Sequence, residues 1–206
     1  VEQRQKLLAK SSKMPHLLAM TATPIPRSLQ LTIYGELDIS ILNEKPKNRL
    51  PITTEIVSPN SRAQMYAKVE QEIEAGHQVY VICPRIEEGV DEQKSVEAEI
   101  KRLRQGPFKH RQIGLLHGKL APVDKQAAMF EFASGKTDIL VSTTVVEVGV
   151  DVPNATVIVI EGADTFGLAQ LHQLRGRVGR SELQSYCYLV PSTSQKPSRR
   201  LRELEK

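Results

Sequence analysis

The chain has 206 residues, with 28 Lys plus Arg against 24 Asp plus Glu, and two cysteines. A quarter of the residues are charged and 40% are apolar, which excludes wholesale disorder, and the length is ample for a real core. Two cysteines cannot build a disulfide framework, no Cys/His cluster points to a metal, and no apolar run nears the ~20 residues of a membrane helix, so a soluble cytoplasmic protein is expected.

Taken in chain order, a polar helix over 1–12 leads into an apolar strand, HLLAM (16–20), and then a PIPR turn opens a helical stretch to Gly35. NEKPKNRLP (43–51), with two prolines and mixed charge, reads as a linker. One strand between two helices cannot bury both its faces, so 1–45 is expected to be the tail of a preceding domain.

Beyond the linker, short β-branched runs alternate with helical patterns. The runs are ITTEIV (52–57), QVYVIC (78–83), IGLLH (113–117), DILVS (138–142), TVIVI (156–160) and YCYLV (186–190). Near-continuous Val/Ile/Leu is what a parallel strand buried on both faces requires. A helix over 60–76 carries Met65, Tyr66, Val69 and Ile73 on one side, with Asn60 as N-cap and Gly76 as its stop. A second over 121–135 has Pro122 in its first turn, Val123, Ala127, Phe130 and Ala133 as its expected core stripe, and Gly135 at its end. The alternation predicts βαβ crossovers and an α/β domain with a parallel sheet, over about 46–191. The last dozen residues read as the start of a basic helix, and Cys83 and Cys187 as inert core thiols.

The chemistry-bearing segments begin with an absence. No G-x-x-x-x-G-K-[ST] loop is present: Gly135-Lys136-Thr137 imitates its end, but position 130 is Phe. QLHQLRGRVGR (170–180) is present, and places Arg177 and Arg180 three apart after a strand–helix unit. Planar guanidinium forks match phosphate oxygens and remain charged while phosphoryl charge shifts. In STTVVEVGVDVPNA (142–155) a strand ends in hydroxyls, followed by Gly149 and by Asp151 just before Pro153. Strand C-termini are where parallel sheets bind ligands; hydroxyls there suit a phosphodiester backbone and a carboxylate suits a ribose, although Thr143, Thr144 and Asp151 serve equally well as ordinary caps. LLHGKL (115–120) sets His117 and Gly118 at another strand end, and MTATPIPR (20–27) runs a strand into threonines. Residues 175–206 carry net +5 on a body of −1, a basic end suited to a polyanion or simply to a solvated tail.

Together, TAT (21–23), TTVVEVGVDVPNA (143–155) and QLHQLRGRVGR (170–180) resemble motifs III, V and VI of superfamily 2 helicases, in order. MTATPIPRSL, YGELDISILNEKP, ICPRIEEG and the long FGLAQLHQLRGRVGRS block resemble the RecG-like branch in particular, with the transcription-repair coupling factor as a near relation. The resemblance implies a complete second RecA-like motor domain over 46–191, a remnant of the first over 1–45, and at 192–206 the truncated start of a helical translocation hairpin. It implies ATP and Mg2+ as cofactors, held mainly by an upstream first motor domain that carries the missing loop. DNA, as branched or forked duplex, is the implied partner, together with the preceding RecA-like domain and an upstream wedge domain of the same chain, in a bacterial cytoplasm. By the same resemblance Arg177 and Arg180 reach the ATP phosphates, Gln173 aligns their loop, and Gly149 and Asp151 lie near the nucleotide. His117, Gly118, Thr143, Thr144 and Arg200 would touch DNA, and Thr21 and Thr23 would couple ATP state to DNA grip. A helicase that moves branched DNA is the first expectation. The coupling-factor translocase and a non-enzymatic DNA-binding module are the alternatives.

Overall fold

The computed structural model describes residues 18, 40, 49–84, 92–143, 151–193 and 197–205. The chain divides into two compact units, Val1–Asn43 and Glu44–Lys206. Apart from Leu18, the expected strand at 16–20 lies outside the described residues, as do the motif residues Thr21, Thr23, Thr144 and Gly149.

In the second unit every apolar run of the sequence becomes a strand: β1 (Thr53–Ile56), β2 (Gln78–Ile82), β3 (Ile113–Leu116), β4 (Ile139–Ser142), β5 (Ala155–Glu161) and β6 (Tyr186–Val190). They form one sheet in the order β1-β6-β5-β2-β4-β3, parallel at each pairing. Parallel strands need crossovers, and five helices supply the layers: α1 (Arg62–Glu74), α2 (Glu92–Gln105), α3 (Pro122–Ala133), α4 (Leu168–Arg175) and α5 (Arg199–Glu205). Strand alternation sends Val79, Val81, Val157 and Val159 to one face, where Met65, Val69, Ile73, Val96, Ile100 and Leu103 of α1 and α2 cover them. Tyr80, Ile82, Ile158 and Ile160 face the other way, against Phe132 of α3, Leu171 and Leu174 of α4, and Leu201 and Leu204 of α5.

The helix ends follow local chemistry, with two departures from the sequence expectations. Asn60 does not cap α1; it lies within a 3-10 turn, Pro59–Ser61, whose Ser61 N–H is accepted by Ser58 Oγ at 3.3 Å, and α1 begins at Arg62. Gly76, at φ +87°, ends the helix as expected. In α3 the expected stripe faces solvent: Val123 is 73% exposed and Phe130 69%. The helix buries Phe132, with Ala128 and Met129 beside it. Two apolar stripes compete on this helix, and the sheet selects the one whose aromatic ring reaches Tyr80, at a centroid distance of 4.8 Å.

Glu161, where β5 ends, ties both helices of its face to the sheet. Its Oε1 accepts from Arg62 and, at 3.2 Å, from Arg102, while Tyr66 Oη accepts from Arg62 Nε at 2.9 Å. Hydrogen bonding to Glu99, above all, raises the Arg102 pKa against the opposing effect of burial. At the sheet edge, Glu205 of α5 accepts the Ile56 N–H at 3.1 Å, and Leu201 and Leu204 are both 1% exposed. Burial pushes the Cys83 thiol up and the Cys187 thiol up to about 12, so both are unreactive core groups. No described helix is long and apolar enough to cross a membrane.

Candidate functional site

The chain's topology distributes the candidate residues over two opposite edges of the sheet. Asp151 precedes the N-terminus of β5, and Arg177 and Arg180 precede that of β6. His117 and Thr143 follow the C-termini of β3 and β4. Thr143 and Asp151 therefore stand at opposite ends of the strands, so the hydroxyl and the carboxylate of 142–155 do not share one strand-end site.

α4 follows the C-terminal end of β5 with Gly167 as its N-cap, whose N–H is accepted by Gln170 Oε1 at 3.2 Å, and it runs back to the N-terminal edge with Leu171 and Leu174 anchored in the core. The helix stops at Arg175, and a tight turn follows in which Arg177 N–H donates to Leu174 O at 2.9 Å. Val178 is fully buried, so the residues either side of it are fixed relative to the core. Gly179 adopts φ +68°, and a Cβ there would lie 2.7 Å from Ile52 Cγ1, so glycine is required twice over. Its N–H donates to Ser185 Oγ at 3.1 Å, and its carbonyl accepts from Arg49 Nε. The Arg180 guanidinium is held by Asp151 Oδ1 and by the Gly176 carbonyl, each at 3.1 Å, and Ser181 Oγ donates to Pro153 O at 3.0 Å. Beneath this loop, burial pushes the Tyr80 phenol up to about 12, with Arg177 and Arg180 pulling it down and Asp151 pushing it up. Asp151 and Arg180 form the ion pair of this edge, at 3.1 Å. Gln173 is exposed on α4.

At the C-terminal edge, the Leu116–Ser142 register sets His117 and Thr143 side by side. His117 is 3% exposed and Thr143 1%, yet His117 Nδ1 and Thr143 Oγ1 have no hydrogen-bond partner. Gly118 is exposed, and its carbonyl accepts from Lys125 Nζ at 2.6 Å. Arg200, on α5, reaches the Asp164 carbonyl at 3.4 Å. Burial alone would raise the Asp164 carboxyl, but the Ser192 N–H and hydroxyl, with Arg200, hold it below the usual carboxylate range.

Residues 63–182 match the Helicase_C family, the helicase conserved C-terminal domain. The chain belongs to that family. This helicase C-terminal domain is 53% identical over 201 residues to the ATP-dependent DNA helicase RecG of Synechocystis sp., covering 97% of this chain and 24% of the relative. It is 52% identical to the RecG of Aquifex aeolicus, over 92% of this chain and 24% of that one. Among solved structures, RecG bound to a three-way DNA junction superimposes with a TM-score of 0.76 at 43% identity, over 93% of this chain and 25% of that chain. The domain spans about a quarter of the length of these relatives.

The residues present fit one half of a nucleotide site. Anchored guanidinium groups suit a polyphosphate, whereas no group of three or more His, Cys, Asp or Glu among the described residues could seat a magnesium ion. Sequence reasoning missed Arg49, which lies in a charged, proline-flanked stretch that reads as linker. Only the three-dimensional path of the chain brings it to the arginine loop.

Proposed function

We propose that this chain is the second motor domain of an ATP-dependent DNA helicase, the activity for which the RecG relatives are named, and that the whole protein remodels branched or forked duplex DNA. The observation that carries the reading is the arginine loop: two guanidinium groups on a turn fixed by buried Val178, with Arg180 held at its tip by Asp151. ATP would be cradled, with its Mg2+, by a preceding RecA-like domain belonging to the remaining three quarters of a chain of the relatives' length. ATP supplies the phosphoryl group and Mg2+ its charge neutralisation.

In that arrangement Arg177 and Arg180 face the phosphates, and they stabilise charge that develops as the terminal phosphoryl group leaves. Asp151 keeps the Arg180 fork aligned and, with Gly149, lies toward the nucleoside, while Gln173 supports the loop from α4. At the opposite edge His117 Nδ1 and Thr143 Oγ1, buried and without partners in the domain, are groups that can donate to phosphate oxygens of a DNA backbone, and in this reading Gly118, Thr144 and Arg200 contact DNA as well. Thr21 and Thr23 link the two states, and an upstream wedge domain supplies fork selectivity. The same reading places the protein in the bacterial cytoplasm.

The test is Arg180→Ala in the full-length protein. DNA-stimulated ATP turnover is expected to fall by about 10³-fold or more, the scale of an arginine finger. Turnover equal to wild type would remove Arg180 from the reaction.

A further inference from the structure

Arg180 is secured at its guanidinium and at its root, and only the first belongs to the reading above. Its guanidinium is held by Asp151 and by the Gly176 carbonyl. Its root is the peptide unit that joins Gly179 to Arg180, and that unit's carbonyl accepts from Arg49 Nε, 130 residues away in sequence. The opposite side of Gly179 is held as well, since its N–H donates to Ser185 Oγ at 3.1 Å. Both peptide groups flanking the left-handed residue therefore have a fixed partner. A rotation of the Gly179–Arg180 peptide plane would swing the Arg180 side chain, and Arg49 opposes that rotation directly.

Arg49 does not stand alone. Ile52 packs against Gly179 so closely that no Cβ would fit, Gln184 Nε2 donates to the Pro51 carbonyl at 3.0 Å and to Thr53 Oγ1 at 3.1 Å, and Thr53 N–H donates to Ser185 O at 2.9 Å. The segment from Arg49 to Thr53 is thus fastened along its length to the loop 179–185. It begins a few residues beyond the boundary between the two compact units, Asn43 to Glu44.

We propose that Arg49 to Ile52 form a strap over the arginine loop, with Arg49 a positioning residue that sets the root of Arg180. This rests on the reading of Arg180 as a phosphate-contacting group. Arg49 touches neither phosphate nor DNA in this assignment; it acts through the Gly179 carbonyl. Because the strap is the chain's own entry into the domain, displacement of that entry segment changes the angle at which Arg180 is presented. An alteration of transition-state geometry by a fraction of an ångström lowers turnover while leaving ground-state binding nearly intact.

The test uses the full-length protein with Arg49→Ala, Arg49→Lys, Arg180→Ala and the Arg49→Ala/Arg180→Ala double variant. Arg49→Ala is expected to lower kcat for DNA-stimulated ATP hydrolysis about tenfold or more, with KM for ATP within about twofold. Arg49→Lys should recover part of the loss, because an ammonium also donates to a carbonyl. The double variant should be no slower than Arg180→Ala alone, since the strap has nothing left to position. Wild-type turnover in Arg49→Ala, or a further multiplicative loss in the double variant, would overturn the strap while leaving Arg180 in its role. Loss of folding in both single Arg49 variants would assign Arg49 to the fold and overturn it too. Wild-type turnover in Arg180→Ala would instead overturn the underlying reading.

Discussion

The two edges of the sheet solve opposite problems. At the N-terminal edge, the Arg180 guanidinium, both peptide groups of Gly179 and the Ser181 hydroxyl all have partners within the domain. At the C-terminal edge, His117 and Thr143 are as buried as core residues and yet each leaves a polar atom unsatisfied. An orphaned buried hydroxyl costs about 1–3 kcal/mol unless water or another molecule completes it, and elsewhere in the domain Thr54 Oγ1, Glu70 Oε2 and Ser198 Oγ are likewise unsatisfied. In the proposed reading the first edge is assembled in advance, as groups that stabilise a transition state need to be, and the second is left for a DNA strand to complete.

The comparison can be broken first at Gly179. Replacing it with alanine forces a Cβ into left-handed backbone and against Ile52, and the combined strain is expected to cost about 2–4 kcal/mol. In thermal unfolding that would lower the midpoint by roughly 5–15 °C. A midpoint unchanged from wild type would show that the loop gives way and is not pre-assembled.

A smaller effect, of the opposite sign, is expected at the other edge. Thr143→Val keeps the shape and removes the unpaired hydroxyl, so the domain should be as stable as wild type or up to about 1 kcal/mol more stable. DNA affinity of the full-length protein should meanwhile fall about tenfold, the worth of one hydrogen bond to a charged phosphate oxygen. Loss of stability on this substitution would mean that the hydroxyl already has a partner and that the contrast between the edges is false.

The smallest effect concerns Asp164, which fastens Ser192 at the C-terminal side. Its carboxyl is held below the usual range in the native state, so it contributes stability that is present above the unfolded value of about 3.9 and is lost as pH falls through the lower native one. Asp164→Asn should therefore flatten the acid limb of the stability–pH curve below about pH 4 and lower the plateau above it slightly. An acid limb identical to wild type would show that Ser192 gives this partly exposed carboxylate no net preference.

The strands of the second unit are legible in the sequence almost residue by residue, because a sheet covered on both faces demands unbroken apolar runs. Helices are less so. α2 escaped notice, since its core contribution is only Val96, Ile100 and Leu103 within a densely charged stretch. α3 was found and then turned the wrong way, because Val123, Ala127 and Phe130 repeat as regularly as the stripe that is buried, and spacing cannot say which stripe meets a sheet. The arginine loop was visible as a motif, and its pairing with Asp151 is a structural finding that the motif alone did not contain. That Asp151 and Thr143 stand at opposite edges was hidden for a different reason: a short sequence interval says nothing of whether the chain has crossed the sheet meanwhile. Arg49 was illegible in principle, since its partner is 130 positions away and is a backbone atom, which leaves no mark on residue type.

The strand order has a consequence for synthesis. Among the described strands β1 pairs with β6 alone, the last of them in the chain, and its outer N–H at Ile56 is met by Glu205 of α5. A nascent chain must therefore hold its first strand of this domain open until nearly all the rest has left the ribosome, the slow, high-contact-order situation in which exposed edges invite aggregation. The same closing step brings Arg49 onto the loop that precedes β6. Until translation of the domain is all but finished, the arginine turn has no strap.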